Sequence, residues 1–278
     1  MKIFTAKKKL THYLQKLEKK HLIGFVPTMG ALHEGHISLI KESNKECDVT
    51  ICSIFINPTQ FNNSVDLANY PNSLEKDLAL LKKRNCDIVY APKVSDLYKK
   101  GEVAKNFSFG NMANLMEGIH RPGHFNGVAT IIEKFFKIIK PSKAFFGEKD
   151  IQQLQIVKAL AKQMKTSIEI INVPTKRDEN GLAKSSRNTL LSVSDKKTAS
   201  FIYSSLLYCR DNKTKGIKTL KEDIIELINS NKNIKLEYIE FVNLETMQRI
   251  DDWEEENNNA ICIAAYVAGV RLIDNIIL

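Results

Sequence analysis

The chain predicts an α/β protein in which a doubly wound parallel sheet is followed by a smaller α+β unit. Between residues 22 and 173 short apolar runs alternate with segments of helical periodicity, the order that βαβ units leave in a sequence. One of those runs, 48–56 (DVTICSIFI), is apolar almost without interruption, as a strand covered on both faces is. After Pro174 the composition turns polar and turn-rich, and regular patterning resumes as helices and then strands. These observations set one domain over 1–174 and a second over 175–278.

Residues 5–20 carry Leu10, Tyr13, Leu14 and Leu17 at helical spacing with lysines elsewhere, an amphipathic surface helix. The first strand is 22–26, and a helix from His36 turns Ile37 and Ile40 inward. The second strand, 48–56, is broken at Asn57-Pro58, and 67–71 continues that loop with Tyr70 as a candidate wall. A helix over 73–84 has Ser73 as its N-cap and Leu74, Leu78 and Leu81 inward. A third strand at 87–90, a short helix at 111–117 and a Gly-, His- and Arg-rich loop at 118–127 come next. Then follow a long helix (127–140), a strand (143–146), a helix (150–165) and a fifth strand (168–173). The second domain reads as helices near 195–211 and 220–230 and strands at 236–242, 260–268 and 270–277, with a loop tip at 257–259 and no internal repeat.

Composition narrows the function classes. A chain of 278 residues with 43% hydrophobic content is globular and long enough for two cores. Its longest apolar runs fall far short of a membrane span, and the basic amino terminus lacks the apolar stretch of a secretory signal. A cytoplasmic protein is expected. Five cysteines without a C-x-x-C, several inside apolar patterns, read as reduced core thiols. The net charge of +9 is spread along the chain and is not interleaved with aromatics, so it suits small anionic ligands better than nucleic acid.

The chemistry concentrates at 27–36, PTMGALHEGH, a strand, a tight turn and a helix start. A helix N-terminus at the carboxyl end of a parallel strand offers unpaired N–H groups and a positive dipole end to phosphate. His33 and His36 reach into that crevice from the turn and the first helical residue. Singly, each is an ordinary capping histidine. Zinc would need ligands that this stretch lacks, since no cysteine lies near.

Three other stretches share the crevice rim. Asn57 and Gln60 follow the second strand, where their amides either serve a turn or donate to a ligand carboxylate or hydroxyl. At 147–150, GEKD, Lys149 suits an oxyanion and Asp150 suits a helix cap, and one of Gln152 and Gln153 faces inward. Lys184, Ser185, Ser186 and Arg187 make a polyphosphate cradle, although serines near a helix start also serve as plain caps. Arg121 and His124 rank behind these, and Asp77 reads as a solvated carboxylate.

With these residues in hand the chain resembles the pantoate–β-alanine ligase family of the nucleotidyltransferase superfamily, related to the catalytic domains of class I aminoacyl-tRNA synthetases. The resemblance covers essentially the whole chain, through PTMGALHEGH at 27–36, SIFINPTQF at 53–61, EGIHRPGHFNGV at 117–128, FGEKDIQQL at 146–154, DENGLAKSSRN at 178–188 and RLIDN at 271–275. It implies a Rossmann-like first domain, a smaller C-terminal lid and a homodimer. It also implies a two-step reaction: pantoate attacks the α-phosphate of ATP, and β-alanine then attacks the pantoyl adenylate to give pantothenate and AMP.

The resemblance further implies residue roles. ATP is lined by Met29, Gly30, Ala31, Leu32, His33, Glu34, Gly35 and His36, with His36 the proton donor or transition-state stabiliser and His33 beside it. Gly147, Glu148, Lys149 and Asp150 also contact ATP, Lys149 at the phosphates and Asp150 toward the ribose. Lys184 to Arg187 form a mobile phosphate loop, and Lys176 meets adenine through its backbone; positions 176 and 184 are commonly aliphatic in the family and are lysine here. Gln60 and Gln153 hold pantoate, and Gln60 also adjoins β-alanine. Mg²⁺ accompanies ATP, with Asp77 as the matching carboxylate. A different adenylyltransferase on the same scaffold and a nucleic-acid-binding protein are the competing readings; the two glutamines, suited to a small hydroxy acid, argue against a nucleotide acceptor.

Overall fold

A computed structural model of the chain describes residues 1–17, 21–254 and 258–278. The first half contains β1 (Lys2–Phe4), α1 (Lys7–Leu14), β2 (Ile23–Thr28), α2 (Glu34–Glu46), β3 (Val49–Ile54), α3 (Ser64–Ala68), α4 (Leu74–Lys83) and β4 (Ile88–Tyr90). There follow α5 (Val94–Leu97), α6 (Glu117–His120), α7 (His124–Ile139), β5 (Lys143–Gly147), α8 (Ile151–Gln163) and β6 (Glu169–Val173). Beyond these lie α9 (Val193–Ala199), α10 (Phe201–Asp211), α11 (Ile217–Asn229), β7 (Ile234–Asn243), β8 (Asn259–Val267) and β9 (Val270–Ile277).

The first six strands form one parallel sheet in the order β1-β4-β3-β2-β5-β6. Alternate residues of its strands enter different layers. Phe25, Ile51, Tyr90 and Phe146 pack with α1, α7 and α8, whereas Val26, Cys52, Val89 and Phe145 pack with α2 and α4. Covering both faces is why these strands read as unbroken apolar runs. The direction of strand order reverses at β2, whose neighbours are β3 and β5. Two strand-to-helix turns therefore open side by side at the carboxyl ends of β2 and β5, where parallel sheets hold ligands.

The smaller sheet is antiparallel, β7-β8-β9. On β8, Ile261, Ile263 and Ala265 face the cluster made with α10 and α11, while Ala260 and Cys262 join the core of the first sheet. Period-two alternation thus glues the second unit to the first.

Some expectations change. β1 is an unanticipated three-residue edge strand paired to β4. The first helix is shorter than 5–20; 18–20 and Asn257 of the expected loop tip lie outside the described residues. A short helix, α3, occupies part of the loop expected after Asn57-Pro58. Leu74 is exposed, not inward, and Ser73 stands at the N-cap of α4 without a side-chain capping bond. α7 starts at His124, taking in the end of the predicted 118–127 loop. Gly127 explains that helix's placement: a Cβ there would lie 2.3 Å from the Thr59 carbonyl oxygen and 2.6 Å from Gln60 Cα.

Candidate active site

The turn after β2 is held from beneath. Gly30 takes φ +86°, a left-handed conformation that glycine adopts without strain. Buried Asp77 of α4 accepts from Ala31 N at 2.9 Å through Oδ2 and from Leu32 N at 2.8 Å through Oδ1. Burial raises its pKa, and the two N–H groups oppose that rise. The solvated-carboxylate reading gives way: Asp77 is buried and braces the histidine-bearing turn.

α2 begins at Glu34, two residues before the predicted start, so His33 is its N-cap and His36 lies in its first turn. His33 Nδ1 accepts from Gly35 N at 3.1 Å, and His36 Nδ1 accepts from His33 N at 3.3 Å. The ring centroids are 4.1 Å apart. Burial, then the Lys149 charge, lowers the His33 pKa to about 4; burial, then His33 and Lys149, drives His36 well below the usual histidine value. Both rings are neutral at pH 7. Because each Nδ1 accepts a backbone N–H, the ring proton resides on Nε2, and each histidine presents an N–H donor.

Lys149 stands on the neighbouring strand end, in a short 3-10 turn (Glu148–Asp150) between β5 and α8. Its Nζ lies 3.7 Å from Asp150, which makes no side-chain cap to α8, contrary to the capping role read from sequence. The turn is pinned from the second unit. Asn275 Nδ2 of β9 donates to the Glu148 carbonyl at 2.9 Å and the Lys149 carbonyl at 2.7 Å.

A third wall comes from the turn after β3. Asn57 Nδ2 donates to Gln60 Oε1 at 3.0 Å and to the Gly127 carbonyl at 3.1 Å, and Tyr98 donates to Asn57 Oδ1 at 2.7 Å. Buried His124 donates through Nδ1 to the Gln60 carbonyl at 2.9 Å, and its Nε2 lies 3.2 Å from Arg121 Nη1. Burial and then Arg121 lower its pKa to about 4. The two glutamines of α8 separate. Gln152 is buried, accepting from Glu117 N and donating to the Met112 and Leu115 carbonyls, whereas partly exposed Gln153 has no hydrogen-bond partner among the described residues.

The segment after β6 folds back as a narrow loop. Lys184 N donates to the Lys176 carbonyl at 2.9 Å, so that carbonyl is already engaged once, and Lys184 Nζ pairs with Asp178. Ser185 caps the 3-10 turn at Ser186–Leu190, and Ser186 Oγ donates to the Ala31 carbonyl at 3.0 Å, tying this loop to the histidine turn.

These parts enclose a cavity of about 250 Å³. The first turn contributes Met29, His33, Gly35 and His36, the β5 turn Gly147, Lys149 and Asp150, and the third wall Gln60, with Gln153 opposite. Lys176 and the run Lys184, Ser185, Ser186 and Arg187 complete it. Gly30, Ala31, Leu32, Glu148 and Asp77 form the layer behind and do not line it. Glu34 turns away to an ion pair with Arg84 at 3.1 Å. Sequence reasoning assigned no role to Glu117, Tyr238, Arg271 or Asn275, although three of these four lie in EGIHRPGHFNGV and RLIDN. The signal was present, but only the folded chain shows what they touch.

Paired neutral histidines at a helix start, facing a lysine turn on the adjacent strand, place the chain among nucleotide-utilising α/β enzymes. The comparisons narrow that class. The family model described as pantoate-beta-alanine ligase matches residues 2–277. Pantothenate synthetase of Cytophaga hutchinsonii is 43% identical over 277 residues, covering 96% of this chain and 95% of that protein. The enzyme of the same name from Azobacteroides pseudotrichonymphae is 46% identical, covering 96% and 95%. Among solved structures, pantothenate synthetase from Thermus thermophilus superposes with a TM-score of 0.92 at 34% identity, covering 99% of each chain. Pantoate-beta-alanine ligase from Francisella tularensis, described as complexed with beta-gamma ATP and beta-alanine, gives 0.83 at 39% identity, covering 100% of this chain and 97% of that one. The chain belongs to the pantoate–β-alanine ligase family. It is an ATP-dependent ligase that condenses pantoate with β-alanine.

Proposed function

We propose that the cavity carries both half-reactions, with the two imidazoles acting as neutral hydrogen-bond donors. The supporting observation is the reciprocal cap, in which backbone N–H groups occupy both Nδ1 atoms and leave both Nε2–H groups as donors. In the first step a pantoate carboxylate oxygen forms a bond to the α-phosphorus of ATP, and pyrophosphate leaves with the electrons of the broken P–O bond. His36 Nε2–H, with His33 beside it, stabilises the charge growing on phosphate oxygens, and Lys149 attracts the departing pyrophosphate. In the second step the β-alanine amine attacks the acyl carbon, AMP leaves, and the amine loses a proton.

No protein nucleophile is required, because both nucleophiles are substrates; the chain's task is positioning. Gln60 and Gln153 are the pantoate amides, and Gln60 also adjoins β-alanine. Phe55 and Val128 on the cavity wall suit the two methyl groups of pantoate. Asp150 faces the ribose, Lys176 adenine, and Lys184 to Arg187 the phosphates. The C-terminal unit, taken as a lid domain over 175–278, excludes water from the acyl adenylate.

Mg²⁺ is read as arriving with ATP. Among the described residues no group of three or more His, Cys, Asp or Glu side chains could hold a metal, and Asp77 is engaged by the turn. Phosphate oxygens and water are its ligands in this reading. A cytoplasmic homodimer completes the proposal; five free thiols accord with a reducing compartment.

The test is substrate omission. Purified protein with Mg-ATP is given pantoate and β-alanine singly and together while pyrophosphate, AMP and pantothenate are followed. Pyrophosphate with pantoate alone, and sustained AMP and pantothenate only with both, are expected. AMP release that ignores pantoate would overturn the two-step reading.

A further inference from the structure

We propose that Asn275 is a positioning residue for Lys149, holding the phosphate-reading turn at the angle that ATP requires. This rests on the reading of Lys149 as a phosphate ligand. Asn275 is 4% exposed, and its single amide nitrogen spans two successive carbonyls, those of Glu148 and Lys149, at 2.9 and 2.7 Å. The turn runs directly into α8, and its side-chain tie from the second unit is Asn275. Asp150 supplies no side-chain cap, and the parallel ladder of β5 with β6 ends at Gly147.

Asn275 is itself fixed from the far side. Its N–H donates to Asp274 Oδ1 at 2.8 Å, and Asp274 takes both guanidinium nitrogens of Arg177 at 2.6 and 2.9 Å. Arg177 lies over the Tyr203 ring at 3.6 Å and donates to the Asn275 carbonyl at 3.2 Å. A chain of packed, hydrogen-bonded groups thus runs from α10 through β9 to the backbone carrying Lys149. Removal of Asn275 Nδ2 leaves two carbonyls without that donor and frees the turn to rotate. A displacement of about 1 Å in a phosphate-reading cation is enough to cost up to about a hundredfold in rate.

The test is a double-mutant cycle on the full-length protein with Asn275→Ala, Lys149→Ala and the pair, reading affinity for a non-hydrolysable ATP analogue by calorimetry and the KM values for ATP and pantoate. Lys149→Ala is expected to weaken analogue binding at least tenfold and Asn275→Ala about tenfold. The double variant should match Lys149→Ala within about twofold, and the pantoate KM should stay within about twofold throughout. Asn275→Asp, which places oxygen against both carbonyls, should be worse than Ala, and Asn275→Ser, which keeps one donor, should lie between wild type and Ala. The serine variant carries the test if the alanine variant does not fold. Additive losses in the double variant, or equal rises in both KM values, would overturn the proposal. So would an unchanged affinity in Asn275→Ala when Lys149→Ala is impaired. If Lys149→Ala alone leaves affinity intact, the phosphate role of Lys149 is what fails.

Discussion

Arg271 of β9 closes a two-pronged pair on Glu117 at the start of α6, with Nη1 to Oε2 at 2.8 Å and Nη2 to Oε1 at 2.6 Å, joining residues 154 apart in sequence. Tyr238 adds a donor to the same carboxylate at 2.9 Å, and Arg271 also reaches Glu237. Glu117 N is in turn held by Gln152. The network sits between the two sheets and beside the cavity. Burial alone would push Glu117 up; Arg271 outweighs it and brings the carboxyl down to about 2.

The clamp sets the first prediction. Arg271→Ala leaves buried Glu117 with only the more distant Arg121, at 3.7 Å, as a cation, a change expected to cost about 3 kcal/mol of stability, the low end for a broken buried pair. Arg271→Lys keeps the charge, loses the fork and should fall between. Urea unfolding of the three proteins gives the order; an alanine variant as stable as wild type would show the pair to be dispensable.

His36→Ala should reduce pantoate-dependent pyrophosphate formation about a hundred- to a thousandfold, the usual consequence of losing one charge-stabilising donor. Circular dichroism should be unchanged. Because His33 also caps α2, His33→Ala is expected to lose about 1 kcal/mol of stability in addition to activity.

Acid should weaken the fold in two stages. His33 and His124 titrate near 4 when folded and near 6.5 when unfolded, so between those values the unfolded chain binds more protons. Stability therefore rises with pH through that window and falls as pH drops below about 6.5. Glu117, held at about 2 against an ordinary 4.5, contributes stability that is present above 4.5 and lost between 4.5 and 2. Unfolding free energy measured from pH 8 to 3 should be flat at first and then steepen; a maximum near pH 5 would contradict the assignment of neutral buried histidines.

Asp77→Ala should destabilise the chain by about 2–4 kcal/mol, since the Ala31 and Leu32 N–H groups lose a charged acceptor. Asp77→Asn keeps one acceptor and should be milder. The Mg²⁺ concentration giving half-maximal rate should be the same in Asp77→Asn as in wild type. A tenfold rise would show the carboxylate to be a metal ligand.

What could be read from the chain alone was whatever neighbouring residues encode together. Alternating runs indicated the α/β class, the break after Pro174 set off a second α+β segment, and PTMGALHEGH, NPTQF and GEKD stood at strand ends. Periodicity and turn chemistry are local, so a window of ten or fifteen residues contains them. Helix starts were less legible: His33 caps α2 with its ring, and histidine is not among the side chains that usually mark an N-cap.

Partnership was decided by the tertiary structure. Strand order puts β2 beside β5 and brings His36 and Lys149 to one crevice, although 113 positions separate them in the numbering. Asp77 read as solvent-exposed because its helix is polar on most sides, and only the packing of α4 under the turn buries it. Turn chemistry alone left Gln152 and Gln153 equivalent and only the family resemblance chose Gln153; the rotation of α8 buries Gln152 in bonds to Glu117, Met112 and Leu115 and leaves Gln153 partly exposed at the cavity. Arg271, Asp274 and Asn275 formed an unassigned run until β9 aligned them with Glu117, Arg177 and Lys149. A side chain's residue type fixes what it can bond; the fold fixes which groups come within 3 Å of it, and that distance gives each its job.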